Sequence, residues 1–172
     1  MDAVRTLEAL QIRPLRRDEL AVVERDLRRY PGKHRERLEG QRRGECVYLI
    51  AWFGARPVGH LNLRLRGKKL SERAHRAGAA QIEDLSVSPD YRRRGIATQL
   101  MKRAEVEASV RGFPALGLGV DVSNAPARAL YRREGYKESG FGQFVISYPY
   151  LDENGVERQA NETCTYLIKQ LS

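Results

Sequence analysis

The order of secondary structure expected in the middle of the chain limits the fold most strongly. Ala80–Val87 and Ala115–Val122 have the composition of strands, and the segment between them repeats apolar residues at helical spacing over Ile96–Arg111. A second helix is expected over Ala125–Arg133, where Gly135 ends it. Strands and helices that alternate here, with hairpins on either side, predict a mixed α/β sheet.

The flanking segments are expected to add two helices and two antiparallel hairpins to the same sheet. Their boundaries follow from apolar periodicity and from the glycines and prolines between them. The expected strands are Gln11–Leu15, Cys46–Phe53, Val58–Leu65, Phe144–Tyr150 and Cys164–Lys169, and the expected helices are Asp18–Arg29 and His34–Arg43. Residues 66–79 are expected to be a basic loop and residues 1–9 a loose lead-in. No break in composition divides residues 1–172, which predicts a single domain.

The chain carries a strong excess of positive charge, with 31 Lys and Arg against 22 Asp and Glu and a net charge of +9. This excess fits an anionic partner and fits equally well arginine-rich solvated faces. The 2 cysteines exclude a disulfide framework and a four-thiolate zinc site. The apolar stretch Tyr48–Phe53 is too short to cross a bilayer, and Met1–Val4 shows no secretory signal. We therefore expect a cytoplasmic protein without a membrane partner.

Within Ala80–Val87, the apolar residues change from one face of the expected strand to the other. Those up to Ile82 share one parity, whereas Leu85 and Val87 share the other. Because side chains alternate strictly along a strand, the pattern shifts by one residue at Glu83-Asp84. A β-bulge there explains the shift and leaves backbone groups unpaired; a strand buried on both faces is the alternative.

The segment Tyr91–Thr98 places three arginines, Arg92 to Arg94, and then Gly95 before the long helix. The first turn of a helix has N–H groups without internal partners, and no Ser, Thr, Asp or Asn precedes this helix to accept from them. A helix start surrounded by positive charge predicts an anion site that fits a pyrophosphate; an exposed basic turn is the alternative. The Gly-Lys-Ser/Thr ending of a nucleotide P-loop is missing.

Two groups of residues in this region carry a family resemblance. Ile82–Ala97 contains the pattern Arg/Gln-x-x-Gly-x-Gly/Ala as Arg92, Gly95 and Ala97. A second group follows at the expected distance, namely Asn124, Ala127, Leu130-Tyr131 and Gly135-Tyr136. With both groups in order over residues 80–137, the chain resembles the GNAT superfamily of acetyl-CoA-dependent N-acetyltransferases. The order of the other elements extends this resemblance over residues 10–171.

The resemblance implies a mixed, mostly antiparallel central sheet that is flanked by about four helices and splayed in a V between its fourth and fifth strands. It also implies acetyl-CoA as cosubstrate, bound by backbone amides of the arginine turn and by free backbone groups of the bulged strand. No metal is expected, since His34, His60 and His75 lack metal-ligand spacing. The residues expected to bind the coenzyme are Leu85, Ser86, Val87, Arg92, Arg93, Arg94, Gly95, Ile96, Ala97, Thr98, Asn124, Ala127 and Arg128.

The expected reaction is direct attack of an amine on the thioester, which needs a base and an acid. Only the neutral amine is nucleophilic, so a base must remove its proton. We expect Glu83 to be this base, directly or through water, with Asp84 as the alternative because a bulge leaves the facing of the pair open. Tyr131 is the expected acid for the departing thiolate, and the N–H of Val87 could stabilise the oxyanion.

The acceptor amine is less well defined. Residues 16–44 carry ten Lys or Arg against six Asp or Glu, which favours an acceptor with a carboxylate, whereas the acidic residues of the last hairpin suit a polycation. We expect a small molecule such as a polyamine, an aminoglycoside or an amino-acid-like amine. A protein or peptide N-acetyltransferase is the alternative, and a catalytically silent coenzyme A sensor is the alternative from another class. A homodimer is possible, and no nucleic-acid recognition module is present.

Overall fold

The computed structural model describes residues 10–172, which form seven strands and five α-helices. The strands are β1 (Leu10–Pro14), β2 (Cys46–Phe53), β3 (Arg56–Arg64), β4 (Ala79–Val87), β5 (Ala115–Asp121), β6 (Lys137–Leu151) and β7 (Glu157–Gln170). The helices are α1 (Leu20–Asp26), α2 (Lys33–Arg42), α3 (Glu72–Ala77), α4 (Ile96–Val110) and α5 (Ala125–Arg133). The lead-in expected at residues 1–9 lies outside the described residues.

The strands form one sheet in the order β1-β2-β3-β4-β5-β7-β6. Neighbouring strands are antiparallel, except that β4 and β5 are parallel and are joined through α4. The parallel pairing runs only from Ala79 opposite Ala115 to Ile82 opposite Leu118. Beyond this point β4 continues to pair with β3, and β5 with β7, so the two strands separate. The mixed sheet with an opening between its fourth and fifth strands is confirmed.

The two faces of the sheet are covered by different helices. On one face, the long helix α4 buries a continuous apolar stripe that includes Leu100, Met101 and Ala104. On the other face, α1 and α2 pack over alternate residues of β2, among them Tyr48 and Trp52. The side chains of β2 therefore divide between two cores, as the period of two in a strand requires.

Residues 66–79 differ from the sequence expectation of a loop, because Glu72–Ala77 forms α3. The hydroxyl of Ser71 caps this helix by accepting from the N–H of Ala74 at 3.1 Å, and Gly78 ends it with φ 63°. Ser before the first turn and Gly after the last are both helix-end signals. The sequence pattern did not predict this helix because the helix is short and the segment is rich in basic residues.

Other boundaries also differ from the expected ones. The first helix follows a 3-10 turn at Arg17–Glu19 and ends at Asp26 instead of Arg29, since the backbone of Leu27 turns away and its carbonyl accepts a hydrogen bond from His34. The turn before β3 is shorter than predicted. Both strands of the last hairpin are longer, because their pairing continues beyond the edge of β5.

Within residues 10–172 no helix is long and apolar enough to cross a membrane. The same part of the chain contains no group of three His, Cys, Asp or Glu side chains that could hold a metal ion.

Candidate active site

The bulge expected at Glu83-Asp84 is present in β4. Glu83 pairs with Asn62 and Ser86 pairs with His60, so three steps along β4 match two steps along β3. Asp84 absorbs the extra residue with φ 53°, in the left-handed region that Asp adopts more easily than most residues. The expected β-bulge is therefore confirmed.

The bulge returns the apolar side chains of β4 to a single face. Ile82 before the bulge and Leu85 and Val87 after it all pack against the core under α4. The edge of β4 that faces β5 has no ladder partner after Ile82. Its N–H and C=O groups can therefore bind an extended ligand as an added strand would.

The start of α4 has no side-chain cap. Gly95 occupies the cap position with φ 77°, and the helical ladder begins at the N–H of Gln99, 3.1 Å from the carbonyl of Gly95. The preceding N–H groups of the first turn are free of internal partners. Arg93 also has a positive φ of 62°, so the backbone of this turn is sharply curved. An anion at this point would meet several N–H groups and the positive end of the helix dipole.

The open edge of β4, the start of α4 and one side of α5 enclose a groove of about 370 Å³. Most of the residues expected to bind the coenzyme line this groove, and Tyr131 lines it too. They are Leu85, Ser86, Val87, Arg92, Arg93, Gly95, Ile96, Ala97, Thr98 and Ala127. The groove also contacts Tyr91, Leu130 and Arg133, which the sequence did not assign to binding.

Three expected binding residues make other contacts. The guanidinium of Arg94 lies 5.1 Å from the centre of the Tyr91 ring. The side chain of Asn124 caps α5 by accepting from the N–H of Ala127 at 3.2 Å. Arg128 donates to a threonine hydroxyl of β7 at 2.9 Å. Their roles in binding stay predictions.

Tyr131 lies on α5 with its ring partly buried in the core that also forms the groove. Burial raises the pKa of its phenol above the usual value, so the hydroxyl keeps its proton at neutral pH. A protonated phenol at the end of a groove can donate to a leaving group.

The two carboxylates of the bulge have different environments. Glu83 lies where β4 leaves β5, and it accepts from Asn62 at 3.0 Å and from Arg64 at 3.3 Å. Asp84 pairs with Arg37 at 2.6 Å and with Arg29. Burial would raise the pKa of Asp84, but its interactions with His60, Arg37 and Arg29 lower it below its usual value. Asp84 is therefore a weak base.

The model of the Acetyltransferase (GNAT) family matches residues 9–136. The chain belongs to this family.

Curated relatives of this GNAT-family chain match it over part of their length. GCN5-related N-acetyltransferase 4, chloroplastic, of Arabidopsis thaliana is 37% identical over 65 residues, which are 38% of this chain and 22% of the relative. The ribosomal protein bS18-alanine N-acetyltransferase of Salmonella typhimurium is 38% identical over 60 residues, which are 35% of this chain and 40% of the relative. The chain thus spans less than half the length of each.

Solved structures resemble nearly the whole chain. A ribosomal-protein-alanine N-acetyltransferase from Brucella melitensis has a TM-score of 0.65 at 20% identity and covers 94% of this chain and 99% of its own. A GNAT family acetyltransferase from Elizabethkingia anophelis, determined with acetyl-CoA bound, has a TM-score of 0.62 at 17% identity and covers 95% and 99%. At these identities the likeness shows the fold.

The structure also contains a polar cluster that the sequence pattern did not predict. We call it the bulge cluster; it consists of Arg29, Lys33, Arg37, His60, Arg64, Glu83 and Asp84. Burial lowers the pKa of His60 to about 3, so its ring is neutral and accepts from the Nε of Arg29 at 3.1 Å. The signal in the sequence was the alternation of His60, Asn62 and Arg64 with leucines along β3.

The last hairpin faces the bulge cluster from the other side of the opening. The hydroxyl of Tyr148 donates to Glu162 at 2.5 Å, and burial together with this bond raises its pKa to about 12. The charges of Asp84 and Arg29 also act on this hydroxyl, which shows that the hairpin lies near the cluster. Arg73 of α3 lies 3.4 Å from the centre of a phenylalanine ring of β6.

Proposed function

We propose that this protein transfers the acetyl group of acetyl-CoA to a primary amine of a small molecule. The observation that carries the proposal is the groove: it combines an uncapped helix start, an unpaired strand edge and a phenol in one continuous lining. Each of these features matches a part of acetyl-CoA, namely the pyrophosphate, the amides of the pantetheine arm and the thiol end.

The groove residues fit the coenzyme in charge and in shape. The N–H groups of the turn Arg92–Thr98 and the side chains of Arg92 and Arg93 would hold the pyrophosphate. Backbone groups of Leu85 and Val87 would pair with the pantetheine amides, since this edge of β4 has no strand partner. The related structure with acetyl-CoA bound has the same fold.

Glu83, Val87 and Tyr131 would carry the reaction. Glu83 accepts a proton from the acceptor ammonium, and the amine nitrogen then forms a bond to the thioester carbon. The N–H of Val87 stabilises the oxyanion that develops on the carbonyl oxygen. As the carbon–sulfur bond breaks, Tyr131 protonates the sulfur and the nitrogen loses its second proton to solvent. The phenolate of Tyr131 then regains a proton from solvent, and Glu83 returns its proton to solvent. The products are an acetamide and coenzyme A.

The choice of Glu83 over Asp84 rests on their hydrogen-bond partners. The ion pairs with two arginines stabilise the ionised form of Asp84 and lower its pKa, which makes it a weak base. The contacts of Glu83 are longer, and its position is where the two strands separate.

A peptide N-acetyltransferase is a second candidate function. It is favoured by the relatives and solved structures that are named as ribosomal-protein-alanine N-acetyltransferases. The same groove and the same three residues would serve this reaction, and the acceptor would be the α-amine of a peptide.

Release of free thiol from acetyl-CoA tests the proposal. The purified protein is offered polyamines, aminoglycosides, amino acids and short peptides, and acetyl-CoA binding is measured separately by calorimetry. We expect thiol release with at least one small amine. Turnover with peptides alone would select the second candidate, and binding without turnover of any acceptor would indicate a coenzyme A sensor. Absence of binding would refute the assignment of the groove.

The role of Tyr131 has a matched control on the same core. Tyr131→Phe should lower kcat by about 10²-fold, within the range of general acid catalysis, while the Kd for acetyl-CoA changes little. Tyr136→Phe removes another buried phenol, bonded to Glu105 at 3.3 Å and absent from the groove lining, and should leave kcat near the wild-type value. Equal kcat in Tyr131→Phe and wild type would show that Tyr131 is not the general acid.

A further inference from the structure

The opening between the bulge cluster and the last hairpin has two electrostatic sides. In the bulge cluster, four cations accompany two carboxylates, and His60 is neutral because burial lowers its pKa to about 3. The hairpin side contributes the carboxylate of Glu162, which accepts from the hydroxyl of Tyr148. An acceptor with one positive and one negative end would match both sides. A polycation would be repelled by the excess of cations in the bulge cluster.

Arg29 differs from the other two guanidinium groups of the bulge cluster in its accessibility. The side chains of Arg37 and Arg64 are only 8% and 7% exposed, whereas that of Arg29 is 31% exposed. Solvent, and therefore a dissolved ligand, reaches Arg29 more readily than the other two.

Arg29 is also held in one orientation. Its Nε donates to His60, which is 3% exposed, and one of its terminal nitrogens donates to Asp84. Within residues 10–172 its other terminal nitrogen has no assigned acceptor, so this part of the guanidinium can serve a ligand. A guanidinium that is already fixed loses little side-chain freedom when it binds a carboxylate.

The position of Arg29 places this group beside the reacting centre. It pairs with Asp84, the residue next to the proposed base Glu83, and its charge acts on the hydroxyl of Tyr148 across the opening. An acceptor whose amine reaches Glu83 would therefore place groups near that amine within range of Arg29.

We propose that Arg29 binds a carboxylate of the acceptor, so that the substrate is a small amine with a carboxylate close to the reacting nitrogen, the class to which free amino acids belong. The inference rests on the proposed acetyl transfer and selects one acceptor class among those it allows. It excludes polyamines and amines without an anionic group as preferred substrates.

The test compares acceptors that differ only in the carboxylate. Thiol release is measured for free amino acids, their carboxamides and the amines left when the carboxyl group is removed, with each kcat/KM expressed per neutral amine. We expect the carboxylate to raise kcat/KM at least about tenfold, the order of a charge-assisted pair, mainly through KM. A ratio near one, or a preference for polyamines or for peptides without a carboxylate beside the amine, would overturn the inference and leave acetyl transfer standing.

Variants assign the preference to Arg29. Arg29→Gln should reduce the carboxylate preference to near one, and Arg29→Lys should keep part of it because the charge remains. Arg28→Gln removes the same charge from the neighbouring exposed position and should keep the full preference. Calorimetry with acetyl-CoA confirms that each variant is folded. A carboxylate preference that survives in folded Arg29→Gln would refute the role of Arg29. If Arg29→Gln does not fold, the carboxylate preference of Arg29→Lys and the wild-type ratio of kcat/KM with and without the carboxylate decide.

Discussion

The groove and the bulge cluster both include residues of β4 beyond its pairing with β5, but they are built differently. The groove is formed by two stretches of chain, 85–98 and 127–133, and much of its binding capacity is in backbone N–H and C=O groups. The bulge cluster joins side chains from the α1–α2 region, β3 and β4, which are up to 55 residues apart in sequence. The first depends on local conformation, the second on long-range packing.

This difference predicts two patterns of sensitivity. Substitutions in the bulge cluster should change stability and pH dependence, because buried charges are costly once a partner is removed. Substitutions in the groove should change coenzyme binding with smaller effects on stability. Four measurements can separate these patterns or show that the two regions are coupled.

The largest effect is expected when the buried cation of the cluster is removed. Arg37 is 8% exposed and pairs with Asp84 at 2.6 Å, so Arg37→Met should lower the free energy of unfolding by about 4 kcal/mol. Arg35→Met on the same helix removes a cation that is 67% exposed and 3.7 Å from its partner, and should change stability little. Urea denaturation measures both. Adding Asp84→Asn to Arg37→Met should recover part of the loss, and no recovery would show that the ion pair is not the cause.

The next effect is a loss of stability in acid. Burial lowers the pKa of His60 to about 3, below the usual 6.5, so the unfolded chain binds the proton first as pH falls. The contribution of His60 to the free energy of unfolding is fully present above pH 6.5 and decreases as the pH falls towards 3. At pH 4 the loss is about 3 kcal/mol. His60→Gln should flatten this part of the stability curve, whereas substitution of the exposed His75 should leave it unchanged. The same slope in both variants would contradict the assignment.

A moderate effect is expected at the two glycines that border α4. Gly95 and Gly112 have φ of 77° and 83°, and an added Cβ would meet nothing within 4 Å at either position. Alanine at each should therefore cost about 1 kcal/mol through backbone strain alone. Only Gly95→Ala should also weaken acetyl-CoA binding in calorimetry, because only Gly95 lines the groove. If the two variants bind acetyl-CoA equally well, the turn at Gly95 is not part of the coenzyme site.

The smallest effect distinguishes two adjacent arginines. Arg93 lines the groove, whereas Arg94 stacks on the ring of Tyr91. Arg93→Gln should raise the Kd for acetyl-CoA by about fivefold, the cost of a partly screened charge, and Arg94→Gln by less than about twofold. The difference should decrease as salt is added. A larger increase in Kd for Arg94→Gln than for Arg93→Gln would place the anion site beside Arg94 instead of Arg93.

The sequence predicted the groove better than the cluster for a physical reason. The shift of apolar parity near Glu83 located the bulge, and the arginines before Gly95 located the uncapped helix, since both signals are local in the chain. Nothing local reveals that Arg29 meets His60, because this contact depends on where the α1–α2 loop packs.

The missed helix α3 follows the same rule. The residues that cap it, Ser71 and Gly78, can be recognised in the sequence, but a helix of six residues has little intrinsic stability. It is supported instead by tertiary contacts such as the stacking of Arg73 and Arg76 on two aromatic rings of β6. Such contacts join distant segments, so periodicity within residues 66–79 could not indicate them.

The place of β7 between β5 and β6 has a consequence for how the chain is made. Of the seven strands, β7 is synthesised last, yet it lies inside the sheet and covers the edge of β5. Until Glu157–Gln170 leaves the ribosome, the apolar strand Ala115–Asp121 presents an open edge, which can pair with other nascent chains. The sheet therefore closes only after β7 has been translated. Translation speed over the codons for Glu157–Gln170 should accordingly affect the yield of folded protein more than speed over the codons for β1.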